Sequence, residues 1–447
     1  MKISDFLNEK YSDSALYINY RSTPSYIDGL KNSGRKCIYT FKKKKPTAEV
    51  KVSNFAGTVI DESNYLHGNT SMEGTIVTLS QDYCGSNNIP LLGSEGSFGT
   101  RFVPESSAPR YIFIKPIPYM DDLFKKADEV NLVEQQFEGD IIEPMFYVPT
   151  IPLLLANGSV GIGVGFSSKI LARPVKNIFT MVRNKIEKKA LPDKLFVPGW
   201  RGYRGEVKNV APNKWEVRGV ISINEKDPRK VLITEIPVSY GLRSYNDVLK
   251  ALKEDGKIDR YIDFSENDNF TFEVRLSPEY VGKSEDEIMN MLGLVDTVTE
   301  ILTCIDENNA IVEFDSAKEI FENYYKIKIK YLKKRIISET KRIEEELNYT
   351  NEVYKFIMDV IKGNIKINNV KRAEVEKKMK ELGYTYIEKL ISMPAYSFTK
   401  EKADEAKQKL QEKKQELTAM KNETPENMWL KDLDELEAKL KKLNYYC

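Results

Sequence analysis

The sequence predicts an α+β protein in three parts: a compact, mostly helical unit, a β-rich α/β domain, and a long antiparallel coiled coil with a small globular tip. Three observations carry this. Short helical patterns mixed with turn signals occupy residues 1 to roughly 120, and alternating apolar runs dominate from about 121 to 300. A proline-free helical periodicity follows for roughly forty residues. With 447 residues, 41% of them hydrophobic, the chain has room for about two to four domains with real cores.

In the first part, YSDSALYINYRS and TSMEGTIVTLSQDY read as helices, and the Gly/Ser/Asn-rich CGSNNIPLLGSEGSFGT as an ordered loop. In the second, WEVRGVISI, KVLITEIPV and NFTFEVRLS alternate as strands between Pro, Gly and Asp breakers, interrupted by a helix over 176–189. The third begins at Ser316, which forms a capping-box signature with Glu319. An apolar series runs from there through Ile320, Tyr324, Ile327, Tyr331, Ile336, Ile343, Leu347, Tyr354 and Ile357. At about 1.5 Å per residue such a helix reaches on the order of 60 Å and needs a partner helix along its length. Ala403, Ala406, Leu410, Leu417 and Met420 supply one, followed after Thr424-Pro425 by Leu433, Leu436, Leu440 and Leu443. Residues 365–398 form a cap between the two strands, placed for self-association; an ordinary helical bundle is the alternative.

The formal net charge is only +1 although 30% of residues are charged, so a nucleic-acid surface has to be a local patch. Residues 31–51 offer one, with Lys31, Arg35, Lys36, Lys42, Lys43, Lys44, Lys45 and Lys51 against Glu49 alone. Such a cluster can release counterions from a phosphate backbone, or it is a solvated loop. Cys37, Cys84, Cys304 and Cys447 are scattered, without C-x-x-C spacing, which argues for a reducing compartment and against zinc. Without an apolar leader or a run of ~20 apolar residues, a soluble cytoplasmic protein that avoids membranes is expected.

Within SSAPRYIFIK, Arg110 and Tyr111 stand directly before an alternating run, and taken alone they open a strand. The single histidine, His67, precedes Gly68 and then Asn69, Thr70 and Ser71, any of which can cap the helix beginning there. His67 therefore lies beside a helix N-terminus, where a phosphate is favoured. NGSVGIGVGF, taken alone, is a glycine-rich turn packing on a strand, and its spacing is wrong for a dinucleotide fingerprint.

The order and intervals of YRSTPSYIDGLKNSGRKCIYTF, YLHGNTSMEGTI, GSNNIPLLGSEGSFGTR, SAPRYIF and EPMFYVPTIPLLLANGSVGIGVGFSSKI resemble the breakage-reunion subunit of type IIA DNA topoisomerases, the gyrase A-like family. The resemblance extends over most of the chain. GSNNIPLL, FGTR and SAPRYIF look closest to the eukaryotic enzymes, while the short chain stopping at the coiled coil looks like the medium subunit of T-even-type bacteriophage topoisomerases.

The resemblance implies a winged-helix (CAP-like) DNA-binding and cleavage domain at 1–150 and a tower domain at 151–310. An antiparallel coiled coil at 311–364 and 399–447 and a C-gate dimerisation tip at 365–398 complete it. It makes Tyr111 the nucleophile that forms a 5′-phosphotyrosine bond, and Arg110 a source of positive charge for the phosphate. Arg21 matches the arginine that reaches the scissile phosphate, and His67 the second member of a paired-histidine motif. Lys31, Arg35 and Lys36 fall where helix-turn-helix side chains meet DNA, joined by the run Lys42, Lys43 and Lys44, and Ile162 matches an intercalating wedge. The sequence departs from the family at Leu66, where the first motif histidine is lost, and at Gly34, where gyrases carry a histidine. Electrostatic stabilisation is then the safer role for His67.

Neither a G-x-x-x-x-G-K-[ST] loop nor a glutamate plus D-x-D cluster occurs in the family's metal-binding context, so no metal site is expected in this chain. Mg²⁺ and ATP are expected on a large partner subunit carrying the metal-binding and ATPase domains, with double-stranded DNA and a second copy of this chain as the other partners. No propeller sequence follows Leu443, so relaxation and decatenation are expected. The alternatives are a noncatalytic dimeric DNA-binding scaffold and a gyrase-like supercoiling subunit.

Overall fold

The structure, a computed structural model, describes residues 6–447. The chain forms two compact units, Met1–Lys328 with Leu430–Cys447, and Ile329–Trp429.

The first unit opens with helices Ser12–Ser22, Asn32–Lys44, Val52–Ser63 and Gly68–Ser80. Asn32–Lys44 is the central one: Cys37, Ile38 and Phe41 are buried, and Phe41 meets Phe55 edge-on at 5.9 Å. Beside these helices lies an antiparallel sheet in the order Val50–Lys51, Phe113–Lys115, Gly93–Glu95. Its middle strand forms because Ile112 and Ile114 are buried while Phe113 and Lys115 are only partly covered, a period-two pattern. Arg110 and Tyr111 stand at its entrance.

The β-rich region contains two larger antiparallel sheets. One runs Val220–Ile223, Lys230–Glu235, Phe272–Leu276, Ile258–Asp263; the other runs Val295–Thr299, Lys214–Arg218, Glu206–Ala211. Alternate residues Val231, Ile233, Phe272, Val274 and Leu276 share a core with Tyr245, Leu249 and Leu252 of helix Leu242–Glu254. WEVRGVISI, expected as one strand, divides at Gly219 between the two sheets. A Cβ at Gly219 would fall 2.5 Å from the Glu235 carbonyl oxygen, so only glycine allows this crossing. The helix expected at 176–189 is Val175–Ile186.

The long helix is Ala317–Ile361. Ser316 Oγ accepts from the Glu319 N–H at 3.2 Å, but the Glu319 carboxylate accepts from the Asp315 N–H at 2.8 Å, one residue earlier than a capping box requires. In the second unit, Ile357 packs on Ala403 and Ala406 of helix Lys400–Lys421, Glu346 pairs with Lys413, and Glu344 with Lys421, both at 2.6 Å. One helix descends in number as its neighbour ascends, so the pair is antiparallel. Helices Arg372–Glu381 and Ile387–Ile391 close over a small core of Phe356, Ile365, Val375, Met379, Tyr384 and Leu390.

Helix Pro425–Lys442 starts where Thr424 Oγ1 accepts from the Asn427 N–H at 3.2 Å. Its later turns belong to the first unit: Arg183 reaches Asp434 at 2.8 Å, Lys125 reaches Glu435 and Lys439 reaches Asp122, both at 2.5 Å. The single coiled-coil strand expected over 399–447 is therefore interrupted at Pro425, and its last part braces the first unit. All four cysteines are free, and no described helix is long and apolar enough to cross a membrane.

Candidate functional site

Tyr111 is 67% exposed on a turn closed by its own N–H donating to Ala108 O at 2.9 Å. Helix Val52–Ser63 begins against this turn: the Val52 N–H donates to Ile112 O at 3.1 Å and the Ser53 N–H to Pro109 O at 3.4 Å. The helix N-terminus thus anchors the backbone on both sides of Tyr111. The exposed Arg110 guanidinium lies 4.8 Å from the Tyr111 ring centre, a cation–π contact that keeps its charge beside the ring. The pair presents an accessible nucleophile with a planar cation suited to phosphate.

A second cationic cluster forms around His67. Helix Gly68–Ser80 starts immediately after it, and its N-terminus has no side-chain cap. Asn69, Thr70 and Ser71 do not serve as the expected caps because the helix begins too early; Ser71 Oγ instead hydrogen-bonds Tyr65 Oη at 2.8 Å. The first-turn N–H groups beside His67 are left as donors for an anion. His67 Nε2 lies 2.5 Å from Tyr17 Oη, with the Tyr65 ring edge-on at 5.4 Å. Arg21, one helical turn after Tyr17, holds its guanidinium carbon 5.8 Å from the Tyr17 ring centre. Partial burial, and then the Arg21 charge, push His67 below its ordinary value, so the ring is neutral at pH 7.

These clusters do not meet within one chain. Tyr111 stands at the N-terminal end of Val52–Ser63, while the Tyr65 N–H donates to Ile60 O at 3.1 Å at its C-terminal end and leads to His67. Twelve helical residues separate the two ends by about 17 Å.

Ile162 ends strand Ser159–Ile162, which pairs with Ser167–Ile170, and its side chain is 80% exposed. This hairpin is mounted on helix Ser12–Ser22. Asn19, only 4% exposed, accepts from the Val164 N–H at 2.6 Å and donates to Val164 O at 3.0 Å. A Cβ at Gly163 would sit 2.1 Å from Asn19 Oδ1, and one at Gly161 2.0 Å from Ser22 O, which is why the sequence is glycine-rich here. Lys31 Nζ donates to Val160 O at 2.6 Å, and its burial lowers its pKa.

The structure corrects three of the cations read as DNA contacts. Arg35 is 3% exposed and grips Asp28 through Nε at 2.8 Å and a terminal nitrogen at 3.1 Å. Lys36 is 7% exposed and donates to Glu143 at 2.8 Å and Ser63 O at 2.5 Å. Lys42 donates to Phe124 O at 2.6 Å and pairs with Glu129 at 2.8 Å. Helix Asn32–Lys44 is packed against neighbours on most of its surface, so these three cations brace the interior. Lys43 and Lys44 share Glu62 at the surface and remain about half exposed.

Neither cluster fits a hard cation. Guanidinium and aromatic groups are not ligands for Mg²⁺, which takes oxygen donors. Among the described residues no group of three or more His, Cys, Asp or Glu side chains is arranged to hold a metal. The sequence motifs did not point to Tyr17 or Asn19. Tyr17 shares a helix face with Arg21 at i, i+4, the one signal that links it to the site.

The family model for the A-type subunit of DNA gyrase and topoisomerase IV matches residues 21–434. The mitochondrial DNA topoisomerase 2 of Dictyostelium discoideum is 31% identical over 98% of this chain and 35% of its own length. DNA topoisomerase 2 of Arabidopsis thaliana is 29% identical over 99% of this chain and 33% of its own. The chain spans about a third of the length of the curated relatives it matches. A crystal structure of the DNA-binding, cleavage and re-ligation domain of Plasmodium falciparum topoisomerase II agrees with a TM-score of 0.88 at 28% identity, covering 98% of this chain and 64% of that one. The chain belongs to the family of DNA gyrase and topoisomerase IV A-type subunits.

Proposed function

We propose that this chain is the DNA-cleaving and religating part of an ATP-dependent type II DNA topoisomerase, acting as a homodimer on double-stranded DNA. The observation that carries the reading is Tyr111, exposed beneath a bare cation, in a chain of this family. Tyr111 Oη attacks a backbone phosphorus, a P–Oη bond forms and the P–O3′ bond breaks. The phenolic proton passes to water and the departing 3′-oxygen takes one up. The reverse step reseals the strand, because one phosphate ester has been exchanged for another. Arg110 stabilises charge on the transferred group.

Because Tyr111 and the Arg21–His67 cluster stand at opposite ends of one helix, we assign each complete site to two copies. Tyr111 of one chain meets the phosphate held by Arg21 and His67 of the partner subunit. Two such sites cut both strands, and Ile162 wedges between base pairs to bend the duplex. In this reading residues 1–150 act as the winged-helix cleavage domain and 151–310 as the tower. The antiparallel helices, as a coiled coil with the tip at 365–398, form the dimer gate through which the passed duplex leaves.

The chemistry of Mg²⁺ and ATP falls to a partner subunit, since the donor groups at both clusters do not fit the metal; when bound there, Mg²⁺ supplies charge for the leaving oxygen. This division of labour is that of the T-even-type phage enzyme, placing the protein in a reducing cytoplasm, the host bacterial one if it is phage-encoded. Its products are relaxed and decatenated DNA. Negative supercoiling of relaxed plasmid by the reconstituted enzyme would contradict that last point.

The test is a trapped adduct. Incubating the chain with its ATPase-bearing partner, Mg²⁺ and end-labelled duplex, then denaturing, leaves label on this protein; Tyr111→Phe abolishes the label and leaves DNA binding intact. Label persisting in Tyr111→Phe defeats the assignment. DNA binding by the wild type without any adduct supports the scaffold instead.

A further inference from the structure

The arrangement around His67 contains a group with no part in the reaction described so far. Tyr17 Oη approaches His67 Nε2 to 2.5 Å across fifty residues of sequence, and the two ring centres are 5.7 Å apart. Leu66, at the position where the family's first motif histidine is lost, is 71% exposed. The polar contact to His67 therefore comes from helix Ser12–Ser22.

We propose that Tyr17 is a positioning residue for DNA cleavage, holding the His67 ring with Nε2 as hydrogen-bond acceptor so that Nδ1–H is the face offered to a DNA phosphate. A neutral imidazole has one donor and one acceptor nitrogen, and its partner decides which is which. A phenol O–H is a stronger hydrogen-bond donor than a neutral imidazole N–H, and the imidazole nitrogen is the better acceptor, so in this contact Tyr17 Oη donates and Nε2 accepts. Tyr17 alone sets the tautomer in this proposal; the other polar groups near His67 bear on which ligand the ring meets. The uncapped first-turn N–H groups of helix Gly68–Ser80 are donors, Arg21 carries only donors, and Tyr65 turns its hydroxyl to Ser71. A pocket built of donors binds an anion, and Nδ1–H adds one more. With Nε2 occupied by Tyr17, His67 is a neutral hydrogen-bond donor to the phosphate and not the base that deprotonates the nucleophile. The catalytic consequence rests on the function proposed above; the tautomer does not.

His67 is the only histidine in the sequence, so ¹⁵N-histidine labelling of the full chain reports on this ring alone. At about pH 7.5, where the ring is neutral, the ¹⁵N spectrum is expected to show a protonated Nδ1 and an unprotonated Nε2. In Tyr17→Phe the two nitrogens are expected to move toward averaged tautomers. The rate of adduct formation by the reconstituted enzyme should fall about threefold to tenfold, the worth of one hydrogen bond, with DNA affinity unchanged. A wild-type ring protonated on Nε2 overturns the proposal. So does a Tyr17→Phe protein with an unaltered ring pattern and an unaltered rate. Should that variant not fold, the wild-type spectrum decides alone. If Tyr111→Phe still formed adduct while the ring pattern was as expected, the proposed function would fail and the positioning of His67 would stand.

Discussion

The Asn19 side-chain amide holds both backbone polar atoms of Val164, at 2.6 and 3.0 Å. Two residues further along the same helix is Arg21. The hairpin that carries Ile162 and Arg21, the cation assigned to phosphate in the proposed function, are thus mounted on one helix, Ser12–Ser22. Under the proposed function, bending of the duplex and placement of its phosphate would share a single mechanical reference.

Asn19→Ala is expected to free the hairpin tip. It removes two hydrogen bonds at a buried position, costing about 1–3 kcal/mol locally, and the wedge loses its fixed direction. Energy transfer between dyes on the two ends of a duplex should report a smaller bend, and adduct formation should fall several-fold. Gly163→Ala should behave alike, because its Cβ would strike Asn19 Oδ1. Combining the two relieves that clash, so the double variant should be no worse than Asn19→Ala. Simple additivity would show that the amide and the glycine are not coupled.

Lys36→Met should damage stability and not DNA binding. It strands Glu143, which is 1% exposed and whose carboxyl is already pushed up by burial despite the lysine. Removing one partner of a buried pair costs about 3–5 kcal/mol, readable in denaturant titration. The salt dependence of DNA affinity should stay as in the wild type. Lys44→Ala, at the surface, should leave stability within about 0.5 kcal/mol and lower the salt slope by about one counterion. A stable Lys36→Met with a reduced slope would return Lys36 to the DNA surface.

The contrast between these two lysines shows what was legible in the sequence. Caps at Thr424 and Ser316 are local, encoded within three residues of the N–H they satisfy, and each holds its bond. The alternation after Tyr111 is equally local, and Ile114 is buried as its pattern requires. Whether Lys36 faces solvent depends on Glu143, more than a hundred residues away, and no local pattern carries that information. Gly219 stood within an alternating run and read as part of one strand; only the approach of Glu235 makes it a crossing point. Asn19 and Tyr17 stayed silent for the same reason. Their partners, Val164 and His67, are brought to them by the fold.

His67 supplies a pH test that uses its solitude. The unfolded ring titrates near an ordinary histidine value of about 6.5, while burial and Arg21 hold the folded ring lower. Between those two values the unfolded state binds more protons, so stability rises with pH across the window. The contribution is complete above the unfolded value and is lost as pH falls through the folded one. Acidifying from about pH 7.5 to about pH 5.5 should therefore lower the denaturation midpoint of the wild type more than that of His67→Gln. Carboxylates and lysines titrate identically in both proteins, so the difference between the two curves belongs to this ring. If the curves run parallel, the imidazole is solvated like that of a free histidine, and neither Arg21 nor the surrounding rings act on it.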